Sequence, residues 1–341
     1  MSDLQNFLQS SFEVKGRTVQ GRVHLAPMAG LGHVAFRHHI ANYAGHGLLF
    51  TEMSNARAVP NENPKVSKTF RWRGEELPYT VCQLLGSDPQ IMAKAAKRVE
   101  DEGFFGVDIN MGCSVAAIVK QGSGADLLRK PEKALAIVEA MRKTVDIPLF
   151  VKFRTGWEKD LTPVAKLAKQ FEDAGVDGFT FHPRISPDRR SRPPIWEHIR
   201  IIKETVSIPV FGNGNVFNAA DCEQMLEETG CDGISIGRIA VAKPWAFAEW
   251  SGLYTPDENT HTESATQLIH LLRHYYHDDE RATALFKKIA PYIAANFTYG
   301  HQLLPKLIKA TTTEQLLENV ECLLGRHPQE RPRPNSLMFS M

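Results

Sequence analysis

A single thiol carries the most distinctive chemical signal in this sequence. Cys113 follows the apolar run 106–109 and the turn Asn110-Met111-Gly112, just past the C-terminal end of a predicted buried strand. Loops at that end of a parallel α/β sheet are held by a rigid scaffold and often carry catalysis. A lone cysteine is nonetheless more often a small core residue. The sequence therefore allows two interpretations of Cys113, a reactive thiol and a packed one.

Seven other predicted strands also end in polar or glycine-containing segments, which favours catalysis. These segments are Pro27-Met28-Ala29-Gly30, Glu52, Gln83, Lys152 with Arg154, His182 with Arg184, Asn213-Gly214-Asn215, and Gly237-Arg238. Each alone has a structural explanation, such as a rim lysine at 152 that pairs with Glu52. Because the strand ends of a closed parallel barrel share one mouth, we expect these side chains to line one site.

Two of these segments predict a phosphate site. The turns with Gly214 and Gly237 follow the seventh and eighth strands, where such barrels usually bind phosphate through backbone N–H groups. Glycine lets the backbone approach an anion, and Arg238 adds a fixed positive charge. Together with Lys152 and the thiol, this arrangement suits flavin mononucleotide (FMN). Lys152 would face the N1/C2 edge of the flavin and stabilise the negative charge of its reduced form.

Repeated patterns predict the elements that position these residues. Three segments pass from acidic residues through a glycine into an apolar run, as at a helix end followed by a buried strand. Two others read Val-Asp-Ile-Pro and Val-Ser-Ile-Pro before a strand, where proline loses no needed hydrogen bond. We predict eight strands, at 23–26, 48–51, 80–84, 107–110, 149–153, 178–181, 210–211 and 233–236.

Helical windows separate these strands, at 89–102, 131–144, 163–174, 195–206 and 219–229. Eight β/α units in about 230 residues predict a closed (β/α)8 barrel, a TIM barrel, within residues 1–250. An open doubly wound sheet is the alternative, but its glycine-rich turn after the first strand is absent. Helices at 263–277, 279–298 and 312–323 predict a small C-terminal helical domain at 260–325. We expect the Pro-rich tail 326–341 to be loosely ordered.

Composition argues against several classes of protein. The 341 residues include 40 basic and 39 acidic side chains, so the overall charge indicates neither nucleic acid nor membrane binding. No apolar run is long enough for a bilayer, and the polar start is unlike a signal peptide. Five scattered cysteines without a C-x-x-C pair, and 13 histidines without H-E-x-x-H spacing, predict neither disulfides nor a metal site. We expect a cytoplasmic monomer that binds no membrane.

Over residues 15–325 the chain resembles the flavin-dependent tRNA-dihydrouridine synthase family, and most closely its bacterial B-type branch. The matching motifs are LAPMAG (25–30), TEM (51–53), QLLG (83–86), DINMGC (108–113), VKFRTGW (151–157), NGN (213–215) and IGR (236–238), followed by KPWAF (243–247). The resemblance implies that FMN is held by Pro27, Met28, Ala29, Gln83, Lys152, His182, Asn213, Gly214, Asn215, Gly237 and Arg238. It further implies that Cys113 is catalytic and that Asn110, Arg154 and Arg184 contact the substrate.

The resemblance also implies the reaction. Flavin reduced by NADPH gives a hydride to C6 of a uracil ring, and Cys113 gives a proton to C5. The uridine must leave its stack to reach the site, which costs about a few kcal/mol. RNA is the expected partner, and tRNA the expected RNA. Lys287, Lys288, Lys306 and Lys309 are candidates for one RNA-binding face, although residues 251–341 carry nine basic and ten acidic side chains.

The loops expected to face the substrate depart from the family. Residues 114–117 read Ser-Val-Ala-Ala where the family has a proline and then lysines, and residues 182–186 read His-Pro-Arg-Ile-Ser rather than His-Gly-Arg-Thr-Arg. The third position of NGN is an aspartate in the family. Arg184, Arg189, Arg190 and Arg192 form either a substitute phosphate-binding patch or a solvated loop. A small-molecule flavin reductase, a reductase of uridine in rRNA, and a non-catalytic RNA-binding protein that keeps FMN therefore remain as alternatives.

Overall fold

The computed structural model describes residues 2–186 and 192–340, and its centre is a closed barrel of eight parallel strands. We number these strands β1–β8: Val23–Leu25, Leu49–Phe50, Thr80–Leu85, Gly106–Met111, Leu149–Gly156, Gly178–Ile185, Val210–Asn213 and Gly233–Ile236. Neighbouring strands pair in parallel around the ring, and β8 closes it on β1 through the pairs Ile234–Val23 and Ile236–Leu25. The predicted (β/α)8 barrel is confirmed.

Apolar side chains fill the end of the barrel at which the strands begin. A hairpin of Phe12–Val14 and Arg17–Val19 covers this end. Its Phe12 ring lies 5.6 Å from the ring of Phe211, which belongs to a buried cluster with Phe50 and Phe150. Because this end is packed with hydrocarbon, polar chemistry is concentrated at the opposite end, where the strands finish.

Ten α-helices precede the C-terminal segment in the described part of the chain. We number them α1–α10: Asp3–Gln9, Val34–Ala41, Pro89–Asp101, Ala116–Lys120, Pro131–Arg142, Thr162–Asp173, Glu197–Thr205, Ala219–Thr229, Arg238–Ala242 and Ala246–Trp250. Side-chain caps start several of them; for example, the carboxylate of Asp88 accepts the backbone N–H of Ile91. The glycines that follow α3, α6 and α8 have positive φ, as the repeated sequence pattern predicts.

Four more helices follow the barrel and pack against it. They are α11–α14: Thr260–Tyr276, Asp279–Ala294, Gly300–Leu307 and Thr313–Leu324. His39 of α2 bonds to Ser264 and Gln267 of α11 at 2.9 and 2.8 Å. The side-chain amide of Asn296, just after α12, donates to the carbonyl of Ala242 at 2.8 Å. These buried polar contacts fix the helical segment against one side of the barrel mouth. Among the described residues, no helix combines the length and apolarity that a membrane span needs.

The segment after α14 differs from the predicted loosely ordered tail. The backbone N–H of Arg331 donates to Asn296 at 2.7 Å, and that of Asn335 donates to Ala295 at 2.8 Å. Phe339 is 1% exposed, and its ring lies 5.1 Å from the ring of Tyr292. Although the segment is rich in proline, it contains one buried aromatic residue, Phe339. The packing of this ring on Tyr292 holds the segment against α12.

Candidate active site

One cavity of about 460 Å³ opens at the C-terminal ends of the strands. All eight strands or the loops that follow them contribute to its wall. The structure places these predicted site residues there: Pro27, Met28, Ala29, Gln83, Asn110, Cys113, Lys152, Arg154, His182, Arg184, Asn213, Gly214, Asn215, Gly237 and Arg238. The sequence-based prediction that these residues share one site therefore agrees with the geometry, and their individual roles stay predictions. Gly30 and Glu52, also expected at the mouth, are not among the lining residues; the N–H of Gly30 donates to the Glu52 carboxylate.

The loop of Cys113 is fixed by the side chain of Asn110. Its Oδ1 accepts the backbone N–H groups of Gly112 at 3.2 Å and of Cys113 at 2.9 Å. The carbonyl of Cys113 in turn accepts the N–H of Ala125 at 2.8 Å. Cys113 lines the cavity and is partly exposed, whereas Cys82 is buried in the hydrophobic core. The thiol at 113 is thus held by its backbone and accessible, unlike a packed core cysteine.

A hydrogen-bonded line connects Asn110 to the barrel interior. Asn110 Nδ2 donates to Gln83 Oε1 at 2.8 Å, and Gln83 Nε2 donates to Asp108 Oδ2 at 2.6 Å. Asp108 is buried completely, and this burial raises the pKa of its carboxyl group to about 7, although nearby Lys152 opposes the shift. Adjacent β3 and β4 bring the line together, because Gln83 and Asp108 are register partners.

Lys152 occupies the middle of the cavity wall. Its Nζ donates to Asn213 Oδ1 at 3.2 Å, and Asn213 Nδ2 donates to the carbonyl of Ser235 at 2.7 Å. Burial, followed by the positive charge of Arg154, lowers the pKa of Lys152 to about 8. The side chain is therefore still mainly cationic at neutral pH. The contacts described for Glu52 include the N–H of Gly30 rather than Lys152, so the rim ion pair considered above does not form.

His182 lies among cations and is held neutral. Burial, then the charges of Lys152 and Arg154, hold its pKa well below the usual range. Arg184 Nε donates to His182 Nε2 at 3.2 Å, so the accepting nitrogen carries no proton and Nδ1 does. Strand β6 runs to Ile185 rather than to the predicted end at 181, so His182 and Arg184 belong to the strand itself. Their alternation places both on the cavity side.

Two arginines, Arg184 of β6 and Arg238 after β8, donate to one amide in the turn after β7. Asn215 Oδ1 accepts from Arg238 at 2.9 Å and from Arg184 at 3.2 Å. Gly214 has φ +128°, and a Cβ atom there would lie 3.0 Å from the ring of His182, so a side chain at this position would meet both strain and crowding. This end of the cavity is positively charged, and at Gly214 the backbone closely approaches a neighbouring side chain.

Several lining residues escaped the sequence analysis. Met53 belongs to the TEM motif, and Ser235 and Phe217 lie close to predicted motifs, so a wider choice of residues around each motif would have included them. Tyr292 comes from α12, and no local pattern indicates its role. Its ring stacks on Phe339, and its hydroxyl donates to the Phe339 carbonyl at 3.3 Å.

The predicted arginine run is only partly described. Arg189 and Arg190 lie outside the described residues, whereas Arg192 is exposed and its carbonyl accepts from Arg184. Across residues 2–186 and 192–340 there is no cluster of three His, Cys, Asp or Glu side chains arranged to hold a metal.

Comparisons with solved structures agree with the barrel. The 2-naphthoyl-CoA reductase in complex with 2-naphthoyl-CoA matches with a TM-score of 0.55 at 14% identity, over 75% of this chain and 53% of that one. A variant of NCR from Zymomonas mobilis matches with a TM-score of 0.52 at 16% identity, over 74% of this chain and 93% of that one. At such low identity these likenesses show the fold alone.

Sequence comparisons give the family. The chain is 33% identical over 259 residues to a probable tRNA-dihydrouridine synthase of Rhizobium leguminosarum bv. phaseoli, covering 76% of this chain and 81% of the relative. It is 35% identical over 232 residues to tRNA-dihydrouridine synthase B of Pseudomonas aeruginosa, covering 68% and 69%. The family model for dihydrouridine synthase (Dus) matches residues 24–324. The chain therefore belongs to the dihydrouridine synthase family of oxidoreductases.

Proposed function

We propose that this protein reduces uridine to 5,6-dihydrouridine in RNA, with FMN as its cofactor and NADPH as its reductant. One observation carries the proposal: an accessible thiol, a partly buried lysine and a cationic glycine-containing end line the same cavity. Membership of the family supports uridine as the substrate. The curated relatives are named as tRNA enzymes, which supports tRNA as the RNA.

The cationic end of the cavity fits a phosphate group. Arg238 and the backbone at Gly214 and Gly237 face it, and a Cβ atom at Gly237 would lie 3.1 Å from Met28 Sδ, so a larger residue would have to displace that side chain. The buried hydroxyl of Ser235 has no hydrogen-bond partner within the described part of the chain, as expected beside a ligand. A single phosphate-binding end suits a mononucleotide.

The remaining cofactor-binding residues suit the ring system of a flavin. Pro27, Met28 and Ala29 border the cavity after β1, and Gln83 and His182 offer polar atoms from β3 and β6. Lys152 supplies a positive charge where the N1/C2 edge of the ring would become negative on reduction. When bound, the reduced flavin supplies the hydride that C6 of the uracil ring receives.

Cys113 supplies the accompanying proton. Its backbone is held by Asn110 and Ala125, and its side chain reaches the cavity, so a uracil in the mouth would find a proton donor for C5. General acid catalysis of this kind is typically worth about 10²–10⁴-fold in rate. The overall reaction consumes NADPH, one proton and uridine, and yields NADP⁺ and dihydrouridine.

The substrate side of the cavity is less polar than the family pattern predicts. Ser114 and Val115 line it next to the thiol, and Val115 is 58% exposed. Asn110, Arg154 and Arg184 remain as polar candidates for contact with the flipped uridine and its flanking phosphates. The alanines at 116 and 117 leave phosphate binding to other parts of the mouth.

The test combines one substitution with three readouts. Purified protein should release FMN, and Cys113→Ala should retain FMN and its reduction by NADPH while dihydrouridine formation falls by about 10²–10⁴-fold. Cys82→Ala removes a thiol outside the cavity wall and serves as the matched control. Dihydrouridine is measured by mass spectrometry of tRNA and rRNA fractions from cells with and without the protein.

Three results would contradict the proposal. A wild-type rate in Cys113→Ala would make this thiol a packed residue. Failure to bind FMN would remove the cofactor assignment. NADPH oxidation without loss of uridine in any RNA fraction would favour a small-molecule reductase.

A further inference from the structure

Three buried polar side chains form a directed line to the proton-donor loop. Asp108 accepts from Gln83, Gln83 accepts from Asn110, and Asn110 accepts the backbone N–H of Cys113. Asp108 is fully buried, Gln83 is 1% exposed and Asn110 is 8% exposed. Bulk water therefore has little access to replace a lost partner along this line.

The hydrogen bonds along this line can run in only one direction. Asn110 Oδ1 faces two backbone N–H groups, so its Nδ2 must point towards Gln83. Gln83 must then present Oε1 to Asn110 and Nε2 to Asp108. A flipped amide at either position would set donor against donor, whereas the two oxygens of an ionised carboxyl group both accept. Asp108 is thus the terminal acceptor, and from its end of the line it favours the same orientation of both amides that the backbone N–H groups require at the other end.

The surroundings of Asp108 support this assignment. Its Oδ1 makes no hydrogen bond within the described residues, and the bond from Gln83 reaches its Oδ2. Lys152 of β5 acts on Asp108 as a nearby charge, and Cys82 of β3 is the other titratable group that interacts with it. Burying a carboxyl group without an ion pair is costly, so a specific role is needed to account for it.

We propose that Asp108 is a positioning residue for Cys113, acting through Gln83 and Asn110 to hold the backbone of the proton donor. This inference rests on the proposed function only in making Cys113 the donor. The placement of the loop itself is a separate, measurable property. If Asp108 had only a structural role in the core, its replacement would change stability but not how firmly the Cys113 loop is held.

A reciprocal exchange of amide and carboxyl groups tests the proposal. Gln83→Glu sets two carboxyl groups face to face and removes the donor to Asp108. Adding Asp108→Asn restores a donor–acceptor pair with the same total charge, in which the amide at position 108 donates to the carboxylate at position 83 and that carboxylate still accepts from Asn110. The readouts are hydrogen exchange of the Cys113 amide and the rate of Cys113 alkylation by iodoacetamide. All variants carry Cys322→Ser, because Cys322 is the exposed competing thiol among the described residues.

We expect Gln83→Glu to accelerate exchange of the Cys113 amide by about tenfold, consistent with the loss of one hydrogen bond. The double variant should return it to within about threefold of the parent, with alkylation following the same pattern. FMN affinity, which depends on the Gln83 side chain itself, should stay altered in both. Recovery of the loop without recovery of the cofactor contact separates positioning from binding.

Additive effects would overturn the proposal, because independent residues cannot rescue each other. If Gln83→Glu does not fold, Asp108→Leu compared with Asp108→Asn gives the same decision: the leucine removes the acceptor and the asparagine keeps one. Equal amide exchange in those two variants would also overturn it. If no variant, including the parent, makes dihydrouridine, the proposed function fails, while both loop readouts remain interpretable.

Discussion

Ionisation of the Asp108 carboxyl group makes the free energy of unfolding depend on pH. Burial raises the pKa of its carboxyl group to about 7 from an unfolded value near 3.8. The folded state therefore binds a proton that the unfolded state releases, and the associated stability is present below pH 4 and lost as pH rises through about 7. Asp108→Asn cannot ionise. We therefore expect its free energy of unfolding to rise by about 3 kcal/mol relative to that of the parent as the pH increases from 5 to 8.

Urea unfolding of both proteins at these two pH values measures the difference. Every other titrating group is common to the pair, so the change reports the ionisation of Asp108 together with its electrostatic effect on Lys152. A free-energy difference that is the same at pH 5 and pH 8 would mean that the carboxyl group titrates normally.

Single residues were predictable where a motif and a strand end coincide. Cys113, Lys152 and Asn213 follow from this rule, because parallel strands must deliver their ends to one mouth. Tyr292 does not, since it reaches the cavity from a helix far along the chain. The direction of the hydrogen bonds that end at Asp108 could not be predicted from the sequence either, because it depends on which atoms face each other in three dimensions.

At the scale of elements, the C-terminal segment that contains Phe339 supports the cavity wall by packing against two of its aromatic residues. Phe339 packs on Tyr292 and lies 5.7 Å from the ring of Phe217, and both of these rings line the cavity. Truncation of such a buried aromatic ring to alanine typically costs about 3–5 kcal/mol. We expect Phe339→Ala to lower stability by this order and to weaken FMN binding, because its two partners would shift.

Leu337→Ala is the matched control, since Leu337 is 80% exposed in the same segment. It should leave both the urea midpoint and the FMN dissociation constant near the parent values. If the two variants behave alike, the packing of Phe339 contributes nothing to the wall.

The elements themselves were largely predictable. All eight barrel strands match, and the helix 219–229 matches residue for residue, because glycine and proline mark the boundaries. Strand β5 reaches Gly156 and β6 reaches Ile185, beyond their predicted ends, since cross-strand pairing rather than local apolarity decides where they stop. Helix α13 was not predicted; it is only eight residues long and contains Pro305.

At the scale of the molecule, the helical segment brings positive charge to the mouth. Arg281 and Lys288 of α12 are seven residues apart, on one helix face. Arg71 and Arg281 lie 5.3 and 4.5 Å from the centre of the Tyr276 ring. A Cβ atom at Gly30, in the loop after β1, would lie 3.9 Å from Lys288 Nζ. This cluster offers phosphate contacts that the loop after Cys113 lacks.

If the substrate is RNA, Arg281→Ala with Lys288→Ala should weaken binding and flatten its salt dependence. Each lost phosphate contact lowers the slope of log K against log salt by about 0.7–0.9. Lys97→Ala with Lys169→Ala removes the same charge from ion pairs on the outer helices and should leave the slope unchanged. Equal slopes in the two double variants would remove the cluster from the RNA interface.

The closing pair of the barrel has a consequence for biosynthesis. Val23 of β1 pairs with Ile234 of β8, so about 210 residues separate the two partners along the chain. At a ribosomal rate of about 5–20 residues per second, β1 waits roughly 10–40 s for its neighbour. During this interval the nascent sheet has open edges, which are the usual templates for aggregation. The ring that closes the eight-stranded sheet in the finished protein therefore leaves strand edges open in the growing chain until its eighth strand emerges.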